Sequence, residues 1–181
     1  MSVTLGTATL REARMGDGEA LARIYDHHVR SGFGSFEETP PDAAEMERRR
    51  ACVQELGLPY LVAEVAGQVA AFAYAGPYRP RSAYRFTVED SVYVAAAHTG
   101  RGIGRLLLTE IVRRAEALGM RQMIAVIGDS ANHASIRLHE RLGFRPAGLF
   151  TAVGWKQGRW LDSVLMQRAL GPGSVGRPDP G

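Results

Sequence analysis

The hydrophobic and polar positions of the chain repeat with two different periods, and each period predicts a different kind of element. Alternation every second residue, or a short apolar run between turn residues, is typical of strands. Strands are predicted at 8–14, 59–76, 86–94, 122–128, 145–153 and 160–169, and the second of these is a hairpin that turns at Ala66-Gly67-Gln68.

Four further segments are predicted to be helices, and in the first and third of them apolar residues recur at the spacing of a helix. The first begins after Asp17, a residue type that caps helices, and continues to Val29. The others are predicted from Pro41 to Leu56-Gly57, from Ile103 to a stop at Gly119, and at 132–141. The resulting order, βααβββαβαββ, predicts an α/β fold whose sheet is mixed and mostly antiparallel, with helices at its sides.

Length and composition predict one domain over residues 1–170, followed by a Gly- and Pro-rich disordered tail at 171–181. The net charge of +3 is scattered apart from Arg48–Arg50, so nucleic acid is not an expected partner. No apolar run approaches the roughly 20 residues that a membrane helix needs, so no membrane is expected either. Cys52 is the only cysteine and no signal peptide is visible, which favours a cytoplasmic protein.

Three glycines, Gly100, Gly102 and Gly104, separate a predicted strand from a predicted helix. Glycine at such a cluster indicates that the backbone adopts unusual dihedrals or is approached closely. The first amides of a helix have no partner and lie at the positive end of its dipole, so this loop suits an anion such as pyrophosphate. Arg101 and Arg105 add positive charge at the same place.

Other interpretations of the glycine loop can be compared with the residues around it. A P-loop would require Lys followed by Ser or Thr after the last glycine, and neither is present. A dinucleotide-binding loop needs an acidic residue at the end of the next strand, and Asp129 satisfies this spacing, although the loop follows a hairpin rather than opening the domain. Plain packing of a strand against a helix also remains open.

The sequence "HTGRGIGRLLL", followed by a strand and then "NHASIRLHERLGF", resembles the acetyl-CoA-binding core of the GNAT N-acetyltransferases. The resemblance implies the GNAT fold, acetyl-CoA as co-substrate and a homodimer. No metal is expected, because the sequence offers no convincing cluster of metal ligands. Thr99 departs from the Gln or Arg usual at its position, which predicts weakened acetyl-CoA binding. The implied cofactor-binding residues are Val92, Tyr93, Val94, Gly100, Arg101, Gly102, Ile103, Gly104, Arg105 and Asn132.

Further segments, among them "FEETPP", "AVIGDSANHASIRLHERLGF" and "GWKQGRWLD", resemble the phosphinothricin and methionine sulfone N-acetyltransferase branch. Enzymes of this branch acetylate the α-amino group of glutamate-like amino acids such as phosphinothricin, methionine sulfoximine or methionine sulfone. The residues implied in substrate binding are Phe36, Tyr74, Arg79, Arg81, Tyr84 and Tyr93. The sequence does not identify the natural amine.

Acetyl transfer to an amine needs a base for the ammonium proton and help for the departing thiolate. Glu89 is the predicted base, because alternation places it with Ser91 and Tyr93 on one strand face, and the resemblance agrees. Asp90, on the other face, is the competing carboxylate. His139 is the second predicted catalytic residue, since it stands where GNAT helices usually carry Tyr, and histidine titrates near neutral pH.

Direct attack by the amine within a ternary complex requires no covalent residue, so Cys52 is expected to be a bystander. The remaining histidines, His27, His28, His98 and His133, are expected to be surface or packing residues. Two alternatives stay open at this point. One is an acetyltransferase for peptide or protein N-termini, and the other is a non-catalytic module that binds CoA.

Overall fold

The structure of the protein is a computed structural model that describes residues 4–5 and 8–178. Its helices are α1 (Gly18–Ser31), α2 (Ala43–Glu55), α3 (Ile103–Ala117) and α4 (His133–Arg141). Its strands are β1 (Thr4–Leu5), β2 (Ala8–Glu12), β3 (Tyr60–Val65), β4 (Gln68–Pro77), β5 (Thr87–Val94), β6 (Gln122–Gly128), β7 (Arg145–Lys156) and β8 (Arg159–Ala169). Only the two-residue β1 was absent from the predicted order, since it is too short to show a period.

The eight strands form one sheet in the order β1-β2-β3-β4-β5-β6-β8-β7. All neighbouring strands are antiparallel except β5 and β6, which are parallel. The predicted mixed, mostly antiparallel sheet with flanking helices is therefore confirmed. The β3–β4 hairpin turns through Ala66 and Gly67, both with positive φ, as its sequence predicted.

Helices cover the sheet on both sides and divide the core in two. On one side α3 packs its buried Leu107, Leu108 and Ile111 against the sheet. On the other, α1 and α2 contribute Leu21 and Met46 to a second cluster of buried residues. The alternating side chains of β5 therefore face two different environments.

The parallel pair β5–β6 is joined over three residues only, Thr87–Glu89 with Gln122–Ile124. Beyond Glu89 the strands diverge, although β5 continues to Val94 and β6 to Gly128. Each strand keeps its outer partner along this stretch, β4 for β5 and β8 for β6. The sheet therefore opens into a fork near its centre, with Glu89 at the apex.

Two helix starts differ from their predicted form. Asp17 precedes α1 but forms no capping hydrogen bond to the helix; its carboxylate accepts instead from the Arg14 amide and the Arg11 guanidinium, each at 2.8 Å. Helix α2 is capped by Asp42, which accepts from the Glu45 amide at 2.8 Å. Arg11, on the preceding strand β2, and the Arg14 amide therefore hold the Asp17 carboxylate away from its predicted role.

The predicted disordered tail is organised over its first part. Turns cover residues 171–176, and the Gly173 amide donates to the Leu170 carbonyl at 2.9 Å. Arg121 Nε donates to the Gly173 carbonyl at 2.7 Å and so ties the segment to the start of β6. Residues 179–181 of the predicted tail lie outside the described residues. Within the described ranges, no helix combines the length and apolarity needed to cross a membrane.

We expect two buried tyrosines of the α1–α2 side to respond in opposite ways to loss of the hydroxyl. Among the described residues, Tyr60 Oη has no hydrogen-bond partner. Tyr25 Oη bonds Ser35 Oγ at 2.8 Å and Glu37 Oε1 at 3.0 Å. Tyr60→Phe should therefore leave the free energy of unfolding unchanged or raised, while Tyr25→Phe should lower it by about 1 kcal/mol. Urea denaturation would measure both, and an equal loss in the two variants would contradict this assignment.

Candidate active site

A cavity of about 960 Å³ occupies the fork between β5 and β6. Its walls come from β5, the glycine loop, β6, α4 and the segment that follows α1. Glu89 and His139, the two predicted catalytic residues, both line it. So do nine of the ten predicted cofactor-binding residues, namely Val92, Tyr93, Val94, Gly100, Gly102, Ile103, Gly104, Arg105 and Asn132. Arg101 is the one that does not line the cavity.

The glycine loop presents free amides at the start of α3. Gly102 has a φ of 80°, a conformation that favours glycine. Among the described residues, the amides of Gly102–Arg105 find no acceptor, and the first bond of the helix runs from the Leu106 amide to the Gly102 carbonyl at 3.0 Å. Arg105 lines the same end of the cavity. This arrangement suits an anionic group, as the sequence predicted.

Gly104 has side chains of β5 and α4 close to it. A Cβ built on it would lie 3.5 Å from the Val94 side chain and 3.6 Å from that of Leu138. These are ordinary van der Waals distances, so the space around Gly104 would accept a methyl group. The packing interpretation left open above therefore gains no support from the contacts of Gly104.

Asn132 joins the end of β6 to the start of α4. Its Oδ1 accepts from the Ser135 amide at 3.2 Å, which caps α4, and its Nδ2 donates to the Gly128 carbonyl at 3.1 Å. Both ends of the side-chain amide are thus used within the protein. Asn132 fixes the position of α4 over the fork.

Glu89 lies half-buried at the apex of the fork. Among the described residues, no side chain forms a hydrogen bond or an ion pair with its carboxylate. Burial raises the pKa of Glu89, the charge of Asp90 raises it further, and the charge of Arg79 opposes the change. A carboxylate with a raised pKa and no partner is suited to accept a proton.

His139 and Asp90 form a buried pair on the opposite face of β5. His139 is 2% exposed, its Nε2 lies 3.0 Å from Asp90 Oδ2, and its Nδ1 lies 2.8 Å from the Ser135 carbonyl. Burial alone would lower the pKa of His139, but the hydrogen bond and charge of Asp90 outweigh it and raise the pKa. Two acceptors around one imidazole indicate the doubly protonated ring. The predicted competing carboxylate is thus the partner of the second predicted catalytic residue.

Of the predicted substrate residues, Phe36 and Tyr93 line the cavity. Tyr74 instead lines a second cavity of about 310 Å³ between α2 and the sheet, and Tyr25 and Tyr93 border both cavities. Arg79, Arg81 and Tyr84 lie exposed between β4 and β5, outside the cavity lining; the structure does not bring them together with Phe36. Their part in substrate binding stays a prediction.

The sequence analysis missed several residues that come from α1 and the segment after it. Tyr25, His28, Ser35 and Glu37 line the cavity. His28, expected at the surface or in packing, places Nε2 at 2.9 Å from the Val94 carbonyl at the end of β5. A signal existed for α1, because Tyr25 and His28 bring polar groups onto the apolar side of the helix. Among the described residues, no group of three or more His, Cys, Asp or Glu is placed to hold a metal ion.

Comparisons with known proteins agree with this geometry. The sequence matches the acetyltransferase (GNAT) family over residues 21–144. It is 53% identical over 171 residues to a phosphinothricin N-acetyltransferase of Alcaligenes faecalis, covering 94% of this chain and 87% of that protein. It is 41% identical over 167 residues to an L-methionine sulfoximine/L-methionine sulfone acetyltransferase of Pseudomonas paraeruginosa, covering 92% and 96%.

The fold is similar to the crystal structure of a GNAT superfamily phosphinothricin acetyltransferase from Sinorhizobium meliloti in complex with acetyl-CoA. The TM-score is 0.94 at 48% identity, and the match covers 97% of this chain and 95% of that one. The similarity therefore concerns the whole fold and extends well beyond the glycine loop.

We expect Gly102→Val to abolish acetyl-CoA binding in a folded protein. A side chain at this φ is strained and would stand where the free amides of α3 meet an anion. Gly67→Val is the matched control, since Gly67 has a φ of 77° in the β3–β4 turn with open space around it. Calorimetry should show lost affinity for Gly102→Val only. Equal affinities in the two variants would remove the loop from the cofactor site.

Proposed function

Because the chain belongs to the GNAT acetyltransferase family, we propose that it transfers the acetyl group of acetyl-CoA to the α-amino group of a small, glutamate-like amino acid. The family predicted from the two sequence motifs is thereby confirmed. The relatives named for phosphinothricin and for methionine sulfoximine and sulfone support this substrate class. The observation that carries the proposed chemistry is Glu89, unpaired and half-buried at the apex of the fork.

The fork fits acetyl-CoA. The amides of Gly102–Arg105 would hold the pyrophosphate, with Arg105, Arg137 and Arg141 adding positive charge to the cavity wall. Beyond Glu89, the edge of β5 that faces β6 has no strand partner among the described residues, and this edge would lie along the pantetheine. Acetyl-CoA, when bound, supplies the activated thioester carbonyl.

We propose that Glu89 takes the proton from the substrate ammonium, directly or through a water. The free amine then bonds the thioester carbonyl carbon, and the carbon–sulfur bond breaks to release the thiolate of CoA. The nitrogen loses its second proton as the amide forms, and the thiolate takes up one proton, so that the products are the N-acetyl amino acid and the free thiol. Attack within a ternary complex leaves no covalent role for a cysteine. Cys52 is exposed on α2 and does not line the fork, in keeping with its predicted bystander role.

His139 is our proposed acid for the thiolate, with one requirement set by its surroundings. Both ring nitrogens face acceptors within the protein, Asp90 and the Ser135 carbonyl. Giving a proton to the thiolate therefore requires one of these bonds to open. Asp90, by raising the pKa of His139, keeps the proton on the ring until that step.

A panel of amines tests the proposed function against its alternatives. Thiol release from acetyl-CoA would be measured with phosphinothricin, methionine sulfone, methionine sulfoximine, glutamate, and a tripeptide that begins with glutamate. We expect turnover with free amino acids and little with the peptide, because the segment carrying Phe36 and Glu37 lines the amine side of the cavity. Turnover with the peptide alone would favour an N-terminal acetyltransferase, and no turnover at all would favour a CoA-binding module.

Glu89→Gln should lower kcat about 10²–10⁴-fold and leave acetyl-CoA affinity unchanged. The raised pKa of Glu89 means that the folded state binds this proton more tightly than the unfolded state does. Stability from the protonated form is present at low pH and is lost as pH rises through the raised pKa. A neutral glutamine should therefore leave the melting temperature at pH 7 unchanged or higher.

The pH profile provides the control for this variant. In the native protein, kcat/KM should fall as pH decreases through the raised pKa of Glu89, and the residual activity of Glu89→Gln should lack this limb. If Glu89→Gln keeps both the native rate and the fall of kcat/KM at low pH, another group is the base.

Arg79→Lys should raise the KM for the amino acid about tenfold, since lysine keeps the charge but lacks the planar guanidinium group that binds a carboxylate through two hydrogen bonds. Arg79 is close enough to Glu89 to oppose the rise of its pKa. Arg81→Lys is the matched substitution on the same exposed loop, and we expect a smaller effect from it. Unchanged KM values in both variants would contradict the prediction that Arg79 and Arg81 bind the substrate.

A further inference from the structure

Lys156 is the only lysine of the chain, which otherwise carries arginine at its cationic positions. It ends β7 and is 3% exposed. Its Nζ donates to the Gly32 carbonyl at 3.0 Å and to the Ser35 carbonyl at 2.6 Å, and among the described residues no carboxylate lies within ion-pair distance. A compact ammonium can bond two converging carbonyls in a buried space, whereas a planar guanidinium cannot easily replace it.

Both carbonyls belong to residues 32–37, which we call the amine-side loop. This loop follows α1, and its Ser35, Phe36 and Glu37 line the same cavity as Glu89. Lys156 bonds the loop backbone on both sides of Phe33 and Gly34, so the two bonds restrain the loop ahead of Phe36.

The Phe36 ring is seated by two glycines on the far side of the fork. A Cβ at Gly128 or at Gly154 would overlap this ring. Gly154 lies two residues before Lys156 on β7. The end of β7 therefore holds the loop through its backbone and accommodates its aromatic side chain.

Two neighbours of Lys156 make contacts near this loop, one with the end of α1 and one with Phe33. Gln157 Nε2 donates to the Arg30 carbonyl at 2.7 Å, and the Arg159 guanidinium lies 4.1 Å from the centre of the Phe33 ring. Both contacts are more exposed than those of Lys156, and Gln157 reaches the end of α1 rather than the loop. Lys156 is thus the buried anchor in this group.

We propose that Lys156 is a positioning residue for the amine substrate, whose ammonium fixes the amine-side loop against the fork. This inference rests on the proposed function for its kinetic consequence. Without the ammonium, the Gly32 and Ser35 carbonyls lose their buried donor, and Phe36 and Glu37 lose their fixed place in the cavity wall. The glycine loop lies on other elements, so acetyl-CoA binding does not depend on this contact.

Lys156→Met tests the proposal, since methionine fills similar space and donates no hydrogen bond. We expect faster amide hydrogen exchange over residues 32–37, an amino-acid KM raised about 10- to 100-fold, and acetyl-CoA affinity unchanged. Lys156→Arg, which keeps the charge, should show a raised KM as well, because a guanidinium does not fit between the two carbonyls. Gln157→Ala, the matched control on the same turn, should change neither the exchange of the loop nor the KM. Native exchange and native KM in Lys156→Met would overturn the proposal.

The measurements separate this proposal from the proposed function. Hydrogen exchange needs no substrate. A native protein that acetylates no amino acid would therefore refute the proposed function, and the exchange rates would still show whether Lys156 restrains residues 32–37. Should Lys156→Met fail to fold, the native protein labelled with ¹³C-lysine gives one ε-carbon signal. That signal should shift when methionine sulfone binds and stay in place with CoA alone. The reverse pattern would overturn the proposal.

Discussion

The divergence of β5 and β6 after three paired residues is the constraint on which the rest of the site depends. A strand edge inside a protein exposes backbone donors and acceptors that need partners. Both strands remain held in place because each keeps its outer neighbour, so the opening does not break the sheet. The fork is then closed around its rim by the glycine loop and α4, and the space left between them is a cavity. Side chains satisfy some of its backbone groups, as His28 does at the Val94 carbonyl and Asn132 at the Gly128 carbonyl, while the first amides of α3 find no acceptor among the described residues. A long ligand with polar groups along its length fits such an opening.

The position of β5 between two layers of helices also explains why Glu89 and Asp90, which are consecutive, have different surroundings. Alternation along β5 directs Glu89 to the face of α1 and α2 and Asp90 to the face of α3 and α4. On the first face no residue that the structure describes pairs with the carboxylate, so burial and the neighbouring charge raise the pKa of Glu89. On the second face His139 pairs with Asp90, and the pair is buried. One strand therefore carries both Glu89, our proposed base, and the carboxylate of a buried ionic pair, and the three side chains line one cavity.

Much of this arrangement is local in the sequence and was predicted from it. The period of two located the hairpin and β5, and the glycine cluster identified the loop, in which Gly100 and Gly102 have positive φ. What the sequence could not provide is the partner of each polar side chain. Asp90 and His139 are 49 residues apart, and Lys156 and Ser35 are 121 apart, so no spacing rule connects them. Asp17 shows that a local pattern can also mislead. Its carboxylate does not cap α1, because it accepts from Arg11 and from the Arg14 amide instead.

The two sides of the site therefore differ in how the chain specifies them. The acetyl-CoA side is built from one continuous stretch, β5 through α3, followed closely by β6 and α4, so a short motif is enough to identify it. The amine side combines the segment after α1 with Gly128 of β6 and with Gly154 and Lys156 of β7. Its shape depends on contacts among three distant segments. Changes of amine specificity are then expected from substitutions at any of these contacts, while the glycine loop stays the same. Under the function and the anchor proposed above, the cofactor motif identifies the reaction, and the packing of the amine-side loop determines which amine reaches Glu89.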